Sequence, residues 1–152
     1  MQENLSFVHK FTRVLTECLF FIGIAVTITI PLWAFPFMDF IGYQPAFHLP
    51  ESIVLALSGI FALGILWQLR AMLKTVAKGN AFVRKNVNCL RRAAVFCALI
   101  AFTYAGRIVF LYFTFGSMAV CVIFALLSIF ALTLKDVFKQ AVEYKEDVDG
   151  TV

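Results

Sequence analysis

Four long apolar runs, with nearly all the charge confined to the segments between and after them, decide what this chain can fold into. The runs span about 14–37, 53–69, 93–113 and 117–134. A helix crosses the hydrocarbon of a bilayer in about 20 residues. Lipid offers the backbone no water to bond, so a crossing segment must satisfy its own N–H and C=O groups as a helix. The runs therefore predict an all-α membrane protein: a four-transmembrane-helix bundle forming one domain over residues 1–152. A soluble fold fails on surface. The chain is 62% hydrophobic and 14% charged, too little charge for a water-facing exterior. The first run follows Lys10 and Arg13 like a secretory leader, but it is longer than a leader's apolar region. No small-x-small cleavage pattern follows it, so it reads as an uncleaved span.

Charge placement orients the spans. Segment 70–92 carries Arg70, Lys74, Lys78, Arg84, Lys85, Arg91 and Arg92 and no acid. Short loops rich in Lys and Arg stay in the cytoplasm. The segment at 38–52 has Asp39, His48 and Glu51 but no Lys or Arg, and the link around Thr114–Gly116 is uncharged, so both face outside. Both termini are then cytoplasmic, with a tail over 135–152. Trp33, Tyr43 and Tyr112 fall near the outer boundary and Trp67 near the inner one, the depth that amphipathic rings prefer. The net charge of +4 is accounted for by this loop and its attraction to anionic lipids, and direct nucleic-acid binding is not expected.

Local signals refine the picture. Pro31 and Pro36 predict a kink or an end in the first helix. Pro50 and Glu51 suit the first turn of the second. That helix should continue past Leu69 to Lys78, with Gly79 as the left-handed closing residue and Asn80 capping the next helix. Phe82, Val83, Val87 and Leu90 have helical spacing with cations between, which predicts a segment lying along the membrane surface before the third span. Beyond the fourth span, Leu134, Phe138, Ala141 and Val142 form an apolar stripe on a projecting helix, and Lys139 can pair with Glu143. Acids at Glu146, Asp147 and Asp149 oppose the helix dipole, so residues 147–152 should fray.

Few residues carry candidate chemistry. Arg107 lies inside the third run, where a cation is costly. It either snorkels outward or pairs with Asp39 or Glu51, or else contacts an anion in an outward pocket. Glu17 sits in the first turn of span one and should meet a loop cation such as Arg91 or Arg92. His9 and His48 lie on opposite sides of the membrane and cannot share a metal. His48, Asp39 and Glu51 match no known ligand spacing. Cys18, Cys89, Cys97 and Cys121 show no C-x-x-C pattern and read as reduced, apolar thiols. Ala94, Ala98, Ala101 and Ala105, and Ser58 with Ala62, mark close-packing faces. A phosphate-binding loop, a nucleophile elbow and H-E-x-x-H are all missing from the sequence. No catalytic, cofactor or metal site is expected, and the chain does not read as an enzyme.

The stretch from Leu69 to Arg92 contains Lys78-Gly79, Phe82, Asn86-Val87 and Leu90-Arg91-Arg92. With the tail from Phe138 to Glu146 and its acidic end, it resembles a bacterial four-span membrane family catalogued as domain of unknown function 2975. Ala81 stands where that family often has Pro. The resemblance implies a bacterial inner (plasma) membrane protein with no assigned activity, and a link to a small cytosolic helix-turn-helix regulator. Phe82, Arg84, Arg91 and Arg92, beside Lys78 and Gly79, would then form one face of a cytoplasmic docking platform. Phe138, Tyr144, Glu146 and Asp147 would form the other, while the spans or outer loop sense a membrane-soluble signal. The same cations would meet anionic lipids. A small transporter, export or immunity component acting as a homo-oligomer is the alternative, although Thr16, Thr27, Thr29, Ser58, Gln68, Thr103 and Ser128 offer a sparse polar path.

Overall fold

The computed structural model describes residues 2–42, 44–79 and 81–151, with side-chain placement described from residue 10 onward, Pro31 excepted. The expectations for Tyr43, Asn80 and Val152, and for the His9 side chain, lie outside the described residues. Four helices account for most of the chain: α1 (Gln2–Ile41), α2 (His48–Val76), α3 (Arg84–Phe110) and α4 (Phe115–Gly150). A short 3-10 turn at Pro45–Phe47 leads into α2. All four helices contain stretches long and apolar enough to cross a membrane, and the chain is a multi-pass membrane protein.

Sequential helices pack antiparallel, as their contact pairs show. Climbing α1 from Glu17 through Phe20 and Gly23 to Thr27 meets α2 in descending order at Arg70, Trp67, Leu63 and Gly59. Asn86 of α3 meets Thr75 of α2, Phe96 meets Phe61 and Gly64, and Arg107 meets Glu51. Along α3 and α4 the pairs are Arg84 with Glu146, Ala94 with Ser128, Ala101 with Cys121 and Arg107 with Ser117. The basic loop, the start of α1 and the end of α4 thus gather at one end of the molecule, and Glu51 and Arg107 lie near the other.

The four helices pack in chain order, each on the next. Among the described residues, α1 packs on α2, α2 on α3 and α3 on α4, with no comparable packing between α1 and α4. In water an uncovered apolar flank would be costly. In lipid the tails are as apolar as the side chains, so closing the ring gains little and close packing governs which faces meet. Those close faces are small. A methyl group added to Gly59 would sit 2.8 Å from the Thr27 hydroxyl, and one added to Gly64 would sit 2.9 Å from the Phe96 ring. On α3 the buried residues are Asn86, Cys89, Leu90, Ala93, Ala94, Cys97, Ile100, Ala101 and Arg107. Ala94 and Ala101 are among them, but Ala105 is half-buried and Ala98 is exposed, because α3 turns its packed faces to α2 and α4 about one residue away from the expected alanine ladder. Ser58, half-buried, donates to the Val54 carbonyl of its own helix, and Gly59 beside it makes the close approach.

Several boundaries differ from the sequence reading. Helix α1 continues through Pro36 to Ile41. A proline deletes one donor, and lipid-facing helices tolerate that where neighbours re-satisfy the freed carbonyl. Helix α2 begins at His48, two residues before Pro50, and ends as expected near Lys78, with Gly79 at φ +77° in the left-handed region. No separate surface segment precedes span three. Residues 84–92 are the first turns of α3 itself, since no Gly or Pro interrupts the chain from Arg84 to Ala105. Helix α3 stops at Phe110, short of Phe113, where the chain reverses and Tyr112 turns back toward Glu51. The acidic tail does not fray at Asp147. Helix α4 persists to Gly150, tethered by Glu146 and closed by the Thr151 amide and hydroxyl, both donating to the Asp147 carbonyl at 3.1 Å.

Candidate functional site

At the end opposite the basic loop, three helices bring polar groups together within an apolar shell. Glu51 stands in the first turn of α2, Arg107 in the last turn of α3 and Ser117 in the first turn of α4. All three are buried, with 5–6% of their surface exposed. The Arg107 Nε donates to both Glu51 carboxylate oxygens at 2.9 Å. Its terminal nitrogens donate to Glu51, to Ser117 and, at 3.0 Å, to the Tyr112 hydroxyl. Tyr112 in turn donates to Glu51, and its ring lies 4.6 Å below the guanidinium carbon. A charge is tolerated here because its donors are engaged by a carboxylate and two hydroxyls; unpaired, it would be strongly destabilising.

Of the fates expected for Arg107, the pair with Glu51 is the one observed, and Asp39 lies instead 3.5 Å from the buried His48. Ser117 and Tyr112 were not legible as partners. The short α3–α4 reversal that delivers them has no charge or motif to mark it. Beside the cluster a cleft of about 330 Å³ lies among all four helices, with Met38 of α1, Leu55 of α2, Tyr104 of α3 and Val120 of α4 in its walls.

At the basic end, Asn86 is fully buried and staples the turn between α2 and α3. Its Nδ2 donates to the Ala81 carbonyl at 2.7 Å, and Thr75 donates to its Oδ1 at 2.6 Å. Next to this staple, loop and tail clasp one another. Arg84 donates from two nitrogens to the two Glu146 oxygens at 2.9 and 2.6 Å, and Phe82 packs on Phe138 with ring centroids 5.4 Å apart. The bidentate contact pushes the Arg84 guanidinium pKa up and holds the Glu146 carboxyl below the usual carboxylate range. The tail stripe has the expected sense: Leu134, Phe138 and Ala141 are half-buried and Val142 is buried. Lys139 and Glu143 pair loosely at 3.8 Å.

The remaining candidates scatter. Lys78, Gly79, Arg91, Arg92 and Tyr144 are exposed. Arg91 faces Lys139 and Glu143 across a groove between α3 and α4. Glu17 does not meet Arg91 or Arg92. It accepts from Arg70 Nε at 2.7 Å, because among the described residues α1 packs chiefly on α2. Arg70 also lies 5.5 Å from the Phe20 ring and 5.9 Å from Trp67. The four cysteines are free thiols, Cys89 and Cys97 buried.

Searches of curated proteins and of solved structures return no match. A family model does match. It is described as protein of unknown function DUF2975 and covers residues 44–152, which hold α2, α3, α4, the Glu51–Arg107 cluster and the loop–tail clasp, and the chain belongs to that family.

Proposed function

We propose that this is a non-enzymatic regulatory protein of the bacterial inner membrane, with both termini and the basic loop cytoplasmic, and that the clasped loop and tail form its docking platform. The observation that supports this reading is the clasp itself. Two segments more than fifty residues apart in sequence are joined by a bidentate Arg84–Glu146 pair and a Phe82–Phe138 contact into one surface. A loop that served only to set orientation would need its cations but not this geometry. The partner proposed is a small cytosolic helix-turn-helix regulator, held by Tyr144, Asp147 and the exposed arginines around the clasp. The buried Glu51–Arg107 cluster and its cleft are the place where a membrane-soluble signal would act on the same helices.

A second reading, a small transporter, export or immunity component working as an oligomer, draws on this chain-order packing of the helices, whose α1 and α4 flanks are free to meet another copy.

In-cell crosslinking followed by tagged purification from membranes separates the two. The expected result is a DNA-binding protein crosslinked to residues of the clasp. It should be lost in Arg84→Gln and regained when the pair is exchanged as Arg84→Glu with Glu146→Arg. Self-crosslinks along α1 and α4 without any cytosolic protein would overturn the docking reading and call for flux measurements in liposomes.

A further inference from the structure

We propose that the groove between the basic ends of α2 and α3 is a binding site for the phosphate headgroup of an anionic phospholipid. It is a site separate from the clasp. Arg70, Lys74, Lys85 and Arg92 come from two helices and converge on one groove of about 470 Å³. No carboxylate lines it, and among the described residues Lys74, Lys85 and Arg92 have no acidic group within 4 Å. Only Arg70 is matched, by Glu17 of α1. Setting orientation requires cations in the loop, not cations facing one another. Like charges gathered around a concave surface repel unless an anion joins them.

Depth favours a lipid as the source of that anion. Arg70 is nineteen residues along α2 from Glu51 and Arg92 fifteen along α3 from Arg107. At 1.5 Å per residue these separations are roughly 28 and 22 Å, both within one hydrocarbon thickness of about 30 Å. Lys74 and Lys85 lie one to two turns farther out, at headgroup level. Trp67 is 55% exposed at the groove's edge and Leu69 beside it is 41% exposed, so the neighbouring surface of α2 is one that acyl chains would cover. The buried Gln68 in the lining supplies an uncharged amide suited to a headgroup oxygen.

The test uses the full chain in phosphatidylcholine nanodiscs containing a minor fraction of phosphatidylglycerol, with retained lipid counted by native mass spectrometry. Lys74→Gln with Lys85→Gln should lower phosphatidylglycerol retention about tenfold more than Lys78→Gln with Lys139→Gln, which removes the same charge outside the groove. Lys74→Arg with Lys85→Arg should retain the lipid, showing that charge is read and the fold is intact. Equal losses in both Gln pairs would reduce the effect to bulk charge and overturn the site, as would no loss in either. Displacement of the lipid by inorganic phosphate at matching concentration would assign the groove to a soluble anion and overturn the lipid assignment. None of these outcomes depends on whether a cytosolic partner binds the clasp.

Discussion

Arg107 and Glu51 carry a large energetic risk. Each is almost fully enclosed, and each is tolerable only in the presence of the other. Removing one partner of such a pair costs about 3–5 kcal/mol, while replacing both with apolar residues of similar size is often neutral. Glu51→Ala should therefore lower thermal stability in detergent steeply. Glu51→Leu combined with Arg107→Leu should recover most of it, and a double variant as unstable as the single would contradict the pairing. Arg107 could be picked out from sequence as a charge inside an apolar run, and Glu51 as one of two acids within reach. Ser117 and Tyr112 could not, because their contacts depend on how sharply the chain reverses between α3 and α4.

The helices themselves were legible wherever periodicity and length spoke, and less so at their ends. Residues 84–92 look like a separate amphipathic segment because their cations alternate with apolar positions. Yet continuity of helix propensity carries them straight into span three. The tail was expected to fray on dipole grounds, an effect worth less than a bidentate pair plus an aromatic contact.

That pair sets a pH dependence. Arg84 holds the folded Glu146 pKa below its unfolded value, so the carboxylate's contribution to holding the tail is complete above the unfolded carboxylate range and is lost as pH falls through the lower, folded value. The raised Arg84 pKa keeps the guanidinium charged throughout. The hydrogen-exchange protection factor over residues 140–150, corrected for the pH dependence of the intrinsic exchange rate, should fall on acidification below the ordinary carboxylate range, and added salt should weaken the protection at neutral pH because the pair is exposed. In Arg84→Gln the acid-dependent step should disappear. Persistence of the step would assign it to another carboxylate.

At the scale of the whole molecule the antiparallel order makes a topological prediction. Cysteine placed at Gln44, in a chain whose native cysteines are replaced by alanine, should be labelled by an impermeant reagent from outside intact cells. Cysteine at Thr151 should be labelled only after lysis. The reverse pattern would invert the orientation argued from the basic loop.

Apolar run length and the position of thirteen cations were enough to establish four membrane helices and to group the loop with both termini, because lipid permits little else for such segments. Tertiary structure alone decided that each helix packs on the next, that Glu17 meets Arg70 and that Arg84 reaches Glu146. In lipid no hydrophobic force selects which helix faces which, so those choices rest on steric fit at Gly59, Gly64, Ala94 and Ser128, and on individual charge pairs. Such contacts join residues remote in sequence, and one-dimensional spacing does not encode them.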